Sequence, residues 1–513
     1  MISRTFKPLR AAAVALTLLS GTALAGPADN SLVWSTDREV NLPFVWWDTT
    51  SEIATTMHHV FDTLVYRNPE TLEYEPLLAT SWSWVDDRTL EFVLREGVTF
   101  HDGTPFGADD VVDTFAHLTD PAAKVLNASL VNWVESVEKL DEYRIRIHMA
   151  KPYPAALEFL AGSRDVILPS EAWAGLPTAA DGTRDYTKLL PVGTGPYRMT
   201  EFRPGESFTL TRNEAYFDGP KGKPAIGTIV FRTIPDQETR LAELMVGNVD
   251  WLMDVPPDMA EQLSAMPELE VVEGPDLRFA YIALDRTARA GLEPLKDVRV
   301  RRAIAHAIDR QAIASALVGP GAKVIDAACF PTQVGCTDDV ARYEYDPEKA
   351  KALLAEAGYA DGFTLPLGAY RERPQAEAVI GYLRSVGIPV NLRYMQWVGL
   401  REEIVNNRLP AALRTWASSG LNDVIGSASV LLKMQPDDLC QSPEIAAALE
   451  KGDTTVDPDA RKAAYAEAFR MIADEVCWVP LYTYAKLYAY SDKLDFHPTQ
   501  DGFPLFYTAR WKD

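Results

Sequence analysis

Between residues 297 and 397 the hydrophobic period switches repeatedly between that of a helix and that of a strand. A chain patterned this way has to bury a sheet against helices. The run DVRVRRAIAHAIDRQAIASALVGP (297–320) sets Val300, Ile304, Ala307 and Ile308 on one face and stops at Gly319-Pro320, which predicts one helix. In YDPEKAKALLAEAG, Asp346 is the expected N-cap and Pro347 takes the first helical position. Ala350, Leu353, Leu354 and Ala357 form the apolar face, and Gly358 ends the helix. TLPLGAY (364–370) then reads as a strand, QAEAVIGYLRSVG as a helix, and IPVNLRYMQW, with Trp397 at its end, as a further strand. The C-terminal half is therefore expected to be a mixed α/β domain.

The first half carries a strand, turn and helix unit. Leu90, Phe92 and Leu94 alternate with more polar neighbours in TLEFVLREGVTF (89–100), and HDGTPFG makes a turn. Val111, Phe115 and Leu118 follow at helical spacing, with Asp109 and Asp110 in the first turn, where negative charge suits the helix dipole. Pro-rich DVPPDM (254–259) and PELEVVEGPD (267–276) are places where the chain can pass between domains.

The N-terminus reads as a secretion signal. Arg4, Lys7 and Arg10 precede the apolar run AAAVALTLLSG, and Ala23-Leu24-Ala25 forms a small-residue cleavage site. That run is shorter than the roughly 20 residues a membrane-spanning helix needs. Cleavage after Ala25 is expected to release a soluble periplasmic chain of 488 residues, enough for two or three domains. The formal charge is −23 for the full chain and −26 without Arg4, Lys7 and Arg10. This acidity argues against nucleic acid or an anionic membrane surface as a partner.

The four cysteines fit an oxidising compartment. Cys329 and Cys336 flank the loop FPTQVG and are candidates for a disulfide, with free thiols as the alternative; whether Cys440 and Cys477 pair is left open. No metal-ligand spacing occurs. His58 and His59 are adjacent on an expected helix, where neighbouring side chains diverge by about 100°, and His101 beside Asp102 is read as structural. The chain has no G-x-S-x-G elbow, H-E-x-x-H pair, P-loop or EF-hand loop, so no enzyme and no cofactor is expected. GTGPY (193–197) lacks the third glycine of a dinucleotide fingerprint. It is read as a turn in which Gly193 and Gly195 permit unusual backbone angles.

Six stretches in order carry a family resemblance. They are EPLLATSWSWVDDRTLEFVLREGVTFHDGTPFGADDVVDTF, PVGTGPYRM (191–199), RNEAYFDG (212–219), RLAELMVGNVD (240–250), DVRVRRAIAHAIDR (297–310) and VPLYTYAKLYAY (479–490). From about residue 32 to the C-terminus the chain resembles the family 5 extracellular solute-binding proteins of bacterial ABC transporters, the dipeptide, oligopeptide and nickel binders. The resemblance implies an α/β, type II periplasmic-binding-protein fold of two lobes with an extra subdomain inserted in the first. It places the first lobe at 26–58, 176–272 and 479–513, the inserted subdomain at 59–175 and the second lobe at 273–478. It also implies a monomer that closes on a peptide or peptide-like solute and docks on an inner-membrane permease with its ATPase subunits. A nickel chelate, an opine, an amino-acid derivative or a sugar is the alternative ligand.

The same resemblance nominates site residues. AYRERP matches the run in which an Arg before Pro receives a peptide carboxylate, which points to Arg373 with Arg371 beside it. The peptide binders place an Asp three residues after a Trp. Here Ser419 stands three after Trp416, and Asp423 is the nearest downstream acid. Trp416 is a candidate cleft wall. NLPFVWWDTTSE corresponds to a first-lobe loop that reaches the cleft and nominates Trp46, Trp47, Thr49 and Thr50; the tryptophans either contact the ligand or fill the interlobe core.

Overall fold

The computed structural model describes residues 26–48, 50–126, 128, 131–179, 182, 184–418 and 420–512. The expected signal segment, Thr49 and Ser419 lie outside them. Ten strands form one mixed sheet. In spatial order they are Val390–Tyr394, Leu365–Ala369, Ala411–Ala417, Leu269–Leu284, Trp478–Ser491, Trp251–Leu252, Ser31–Thr36, Thr228–Thr233, Ser207–Arg212 and Tyr197–Arg203. The two long central strands run antiparallel and belong to both lobes. Tyr490 pairs with Trp251 of the first lobe, while Phe279 and Ala280 pair with Trp416 and Thr415 of the second. Their ladder is interrupted where they cross: Asp276 is opposite Tyr484, but the next pair is Phe279 with Thr483. Residues 267–276 thus contain the first half of a crossover strand, whereas 254–259 run into the helix Pro257–Ser264.

Apolar residues cluster as the alternation requires. Leu32, Trp34, Phe231, Trp251, Tyr488 and Phe506 share the first-lobe core. In the second lobe, strand neighbours point to opposite faces of the sheet. Ile282 packs with Ile304, Leu354, Leu367 and Val379, while Tyr281 packs with Leu400, Ile404, Tyr465 and Phe469. A separate four-stranded antiparallel sheet and the helix Ala108–Thr119 enclose Leu90, Phe92, Val111, Phe115, Ile145 and Ile147. Leu421 and Ile425, from the loop after the strand Ala411–Ala417, insert into that same core. The lobes are therefore in contact across the cleft.

Several local expectations need correction. The helix expected over 297–320 stops at Ala307, because Ile308 is extended and Asp309 caps a new helix by accepting from the Ala312 N–H. Trp397 starts the helix Trp397–Val405 instead of ending a strand; the strand stops at Tyr394. Gly193 and Gly195 do not have positive φ. They are required by close approach, since a Cβ on Gly193 would lie 2.1 Å from the Val60 carbonyl oxygen and one on Gly195 2.5 Å from the Val60 carbonyl carbon. Cys329–Cys336 and Cys440–Cys477 are both disulfides, with Cα atoms 5.8 and 5.0 Å apart.

Candidate functional site

A cavity of about 180 Å³ lies between the lobes. Val45, Thr50, Ser51 and Ala54 line it from the first-lobe loop and the start of the helix Ser51–Val60, with Ser163 and Arg164 beside them. Asp276, Leu277 and Lys486 come from the crossover strands, Ala417, Ser418 and Gly420 from the second lobe, and Asp501 and Phe503 from the C-terminal segment. Ser163, Gly420, Asp501 and Phe503 also border a smaller recess that contains His58, Tyr66 and Arg67.

The acids of the cavity already have cations nearby. Asp276 is 3.3 Å from Arg278 and 3.8 Å from Lys486, and Asp501 accepts from Arg67 at 2.7 Å. The Arg67 guanidinium beside it holds the Asp501 carboxyl below its ordinary range against the opposing effect of burial. Arg67 also donates to the Gly420 carbonyl at 3.0 Å and pairs with Glu158, which accepts from the Asn422 N–H at 2.6 Å and from the Tyr74 hydroxyl at 2.9 Å. One buried network thus ties the subdomain, the C-terminal segment and the second-lobe loop together.

The nominated residues are only partly assembled here. Thr50 lines the cavity, and its buried hydroxyl has no hydrogen-bond partner among the described residues. Trp46 is 0% exposed; it stacks on Phe44 and donates to the Arg164 carbonyl at 2.7 Å. Trp47 stacks on Tyr186 at 3.6 Å and donates to the Ala123 carbonyl. Both indoles therefore pack into the first lobe from a loop whose small residues face the cavity. Trp416 donates to the Gly426 carbonyl and packs against the Tyr281 core, while Ala417 and Ser418 beside it reach the cavity.

Asp423 is 3% exposed and receives both guanidinium nitrogens of Arg461 at 2.7 and 2.9 Å, plus the Ile425 N–H. Its carboxylate is saturated inside the second lobe. Arg373 has a side chain 61% exposed, pairs with Glu377 one turn along its own helix and lies over Tyr394; Arg371 is exposed and lies over Tyr370. Neither arginine lines the cavity in this conformation. Sequence reasoning missed Ser163, Arg164, Asp276, Ser418, Lys486 and Asp501. These converge from segments hundreds of residues apart and share no motif. No cluster of three or more metal-ligating side chains, and no helix long and apolar enough to cross a membrane, occurs among the described residues.

The geometry has close counterparts. Heme-binding protein A of Haemophilus influenzae is 28% identical over 456 residues, 82% of this chain and 81% of that protein. Di/tripeptide-binding protein 2 of Pseudomonas aeruginosa is 28% identical over 457 residues, covering 83% and 84%. The structure of HbpA2 from Haemophilus parasuis superposes with a TM-score of 0.81 at 25% identity, over 94% of this chain and all of that one. The model of the family described as bacterial extracellular solute-binding proteins, family 5, matches residues 73–433. With its two lobes, inserted subdomain and interlobe cavity, this chain belongs to the family 5 bacterial extracellular solute-binding proteins.

Proposed function

We propose that this chain captures a peptide or peptide-like solute between its lobes and delivers it to the inner-membrane permease of an ABC importer. The observation that carries this reading is the cavity lined from both lobes and from both crossover strands. A ligand touching both sides stabilises the closed form over the open one, and a permease can read that difference. Charges of both signs surround the cavity, Asp276, Lys486 and Asp501 in ion pairs and Arg164 outside one, which suits a solute that carries charge out of water. The di/tripeptide-binding relative supports the ligand class.

In this reading the exported chain, cleaved after Ala25, acts as a monomer, catalyses no reaction and leaves ATP to the transporter's ATPase subunits. Residues 59–175 form the subdomain inserted in the first lobe, and 273–478 form the second lobe. Thr50 contributes directly to the site. Calorimetry and thermal shift of the mature chain against dipeptides, tripeptides, a nickel–histidine chelate, an opine and an oligosaccharide test the proposal. A ligand held at 100 times its Kd raises stability by about 2.7 kcal/mol. Stabilisation by non-peptide solutes alone refutes the peptide reading, and turnover of a bound solute, seen by mass spectrometry, refutes the non-enzymatic one.

A further inference from the structure

Arg164 differs from the other charged groups around the interlobe cavity. Asp276, Lys486 and Asp501 each have an opposite charge within 4 Å. Arg164 has no ion pair among the described residues; its guanidinium makes one hydrogen bond, from Nη1 to the Val45 carbonyl at 3.2 Å. The neighbouring Asp165 attracts it through space but forms no ion pair or hydrogen bond with it. Asp165 is fully buried, neither of its carboxylate oxygens has a partner among the described residues, and burial raises its pKa well above the ordinary value, which favours the neutral acid. Arg164 itself is pushed by burial down to about 10 and still carries its proton at neutral pH.

Two hydroxyls complete the observation. Ser418 lines the cavity from the second lobe, is 2% exposed, and its Oγ has no hydrogen-bond partner among the described residues. Thr50 lines it from the first lobe, and its Oγ1 is also buried without a partner. Buried polar groups are seldom left unpaired, and these two hydroxyls belong to residues on opposite sides of one cavity that Arg164 also lines.

We infer that Arg164, with Ser418 and Thr50, forms an anion-receiving subsite in the interlobe cavity and fixes a carboxylate of the captured solute. This rests on the reading of the chain as a solute carrier and adds the polarity of one ligand end and the residue that selects it. The guanidinium supplies the charge and directed N–H donors, and the two hydroxyls donate from opposite lobes. A carboxylate here bridges the lobes, so its loss weakens closure as well as affinity.

The test uses the mature full-length chain, its Arg164→Gln and Arg164→Lys variants, and the surface variant Arg470→Gln as a control. Calorimetry is run with L-alanyl-L-leucine and with its C-terminal amide. The native chain is expected to prefer the free acid, and Arg164→Gln to lose roughly 30- to 300-fold in affinity for it together with that preference. Arg164→Lys recovers part of both, and Arg470→Gln changes neither. Circular dichroism and melting of each variant separate misfolding from lost binding.

A second arm needs no peptide affinity. Acetate is expected to raise the melting temperature of the native chain above that in chloride at equal ionic strength, and this difference disappears in Arg164→Gln. If the native chain binds no peptide but shows the Arg164-dependent acetate effect, the peptide reading fails and the subsite stands. If Arg164→Gln binds the dipeptide as the native chain does, or Arg373→Gln alone loses it, the inference is overturned. The same holds if acetate acts equally on native chain and variant.

Discussion

Two links between the subdomain and the second lobe differ in almost every physical respect. One is buried: Glu158 accepts from Arg67, Tyr74 and the Asn422 N–H, while Leu421 and Ile425 enter the subdomain core. The other is the Lys151–Glu450 ion pair, whose side chains are 49% and 43% exposed. Water screens the second and lets each partner be solvated alone. In the first, removing a partner strands groups that have no water to turn to. Closure is therefore expected to rest on the buried link.

Glu158→Ala should break this comparison most sharply. It leaves Arg67 with Asp501 as its remaining ion-pair partner and the Asn422 N–H unpaired, at a cost of about 3 kcal/mol in denaturant unfolding. Leu421→Ala removes apolar volume without touching charge and should cost about 2–3 kcal/mol. Small-angle scattering should then show a larger fraction of open molecules.

His101 provides a third buried junction, here between the subdomain and the GTGPY turn. Its Nε2 donates to the Gly195 carbonyl and its Nδ1 accepts from the Gly193 N–H, so both ring nitrogens are used by the neutral imidazole. Burial lowers its pKa to about 4, against the effect of the Gly195 hydrogen bond. The unfolded chain then takes up this proton near pH 6.5 and the folded one near pH 4. The contribution of His101 is present above pH 6.5 and lost as the pH falls through that window. Between pH 7 and 5, native chain should lose about 2 kcal/mol more than His101→Gln, measured as the difference of their unfolding free energies. Lys151→Ala should cost less than about 0.5 kcal/mol, and 0.5 M salt should erase the difference. A loss as large as that of Glu158→Ala would overturn the distinction.

What was legible in the sequence follows the range of the interactions. Asp346 caps its helix by accepting from the Lys349 N–H, with Pro347 in the first position, because capping is settled within four residues. The break at Ile308 was also locally encoded, in an Asp followed three residues later by the amide it caps, but the continuous apolar face masked it. The six ordered stretches located the fold. The cavity did not follow from them, since Arg164 and Ser418 meet only through the folding of both lobes. The paired tryptophans were ambiguous for a related reason. An indole beside a cleft is indistinguishable in sequence from one whose N–H is taken by the Arg164 or Ala123 carbonyl.

The interrupted ladder at Asp276 and Phe279 bears on how such a carrier opens. Two residues, Leu277 and Arg278, stand there without a strand partner on Trp478–Ser491, and Leu277 lines the cavity. A continuous antiparallel ribbon would resist bending, since swinging one end against the other would tear amide bonds in sequence. A second shift follows between Ala280 and Tyr281, so the ladder is stepped twice beside the cavity, and the joint between the lobes is a swivel. The resistance to opening then comes mainly from what lies in the cleft, and a bound solute can act as the latch.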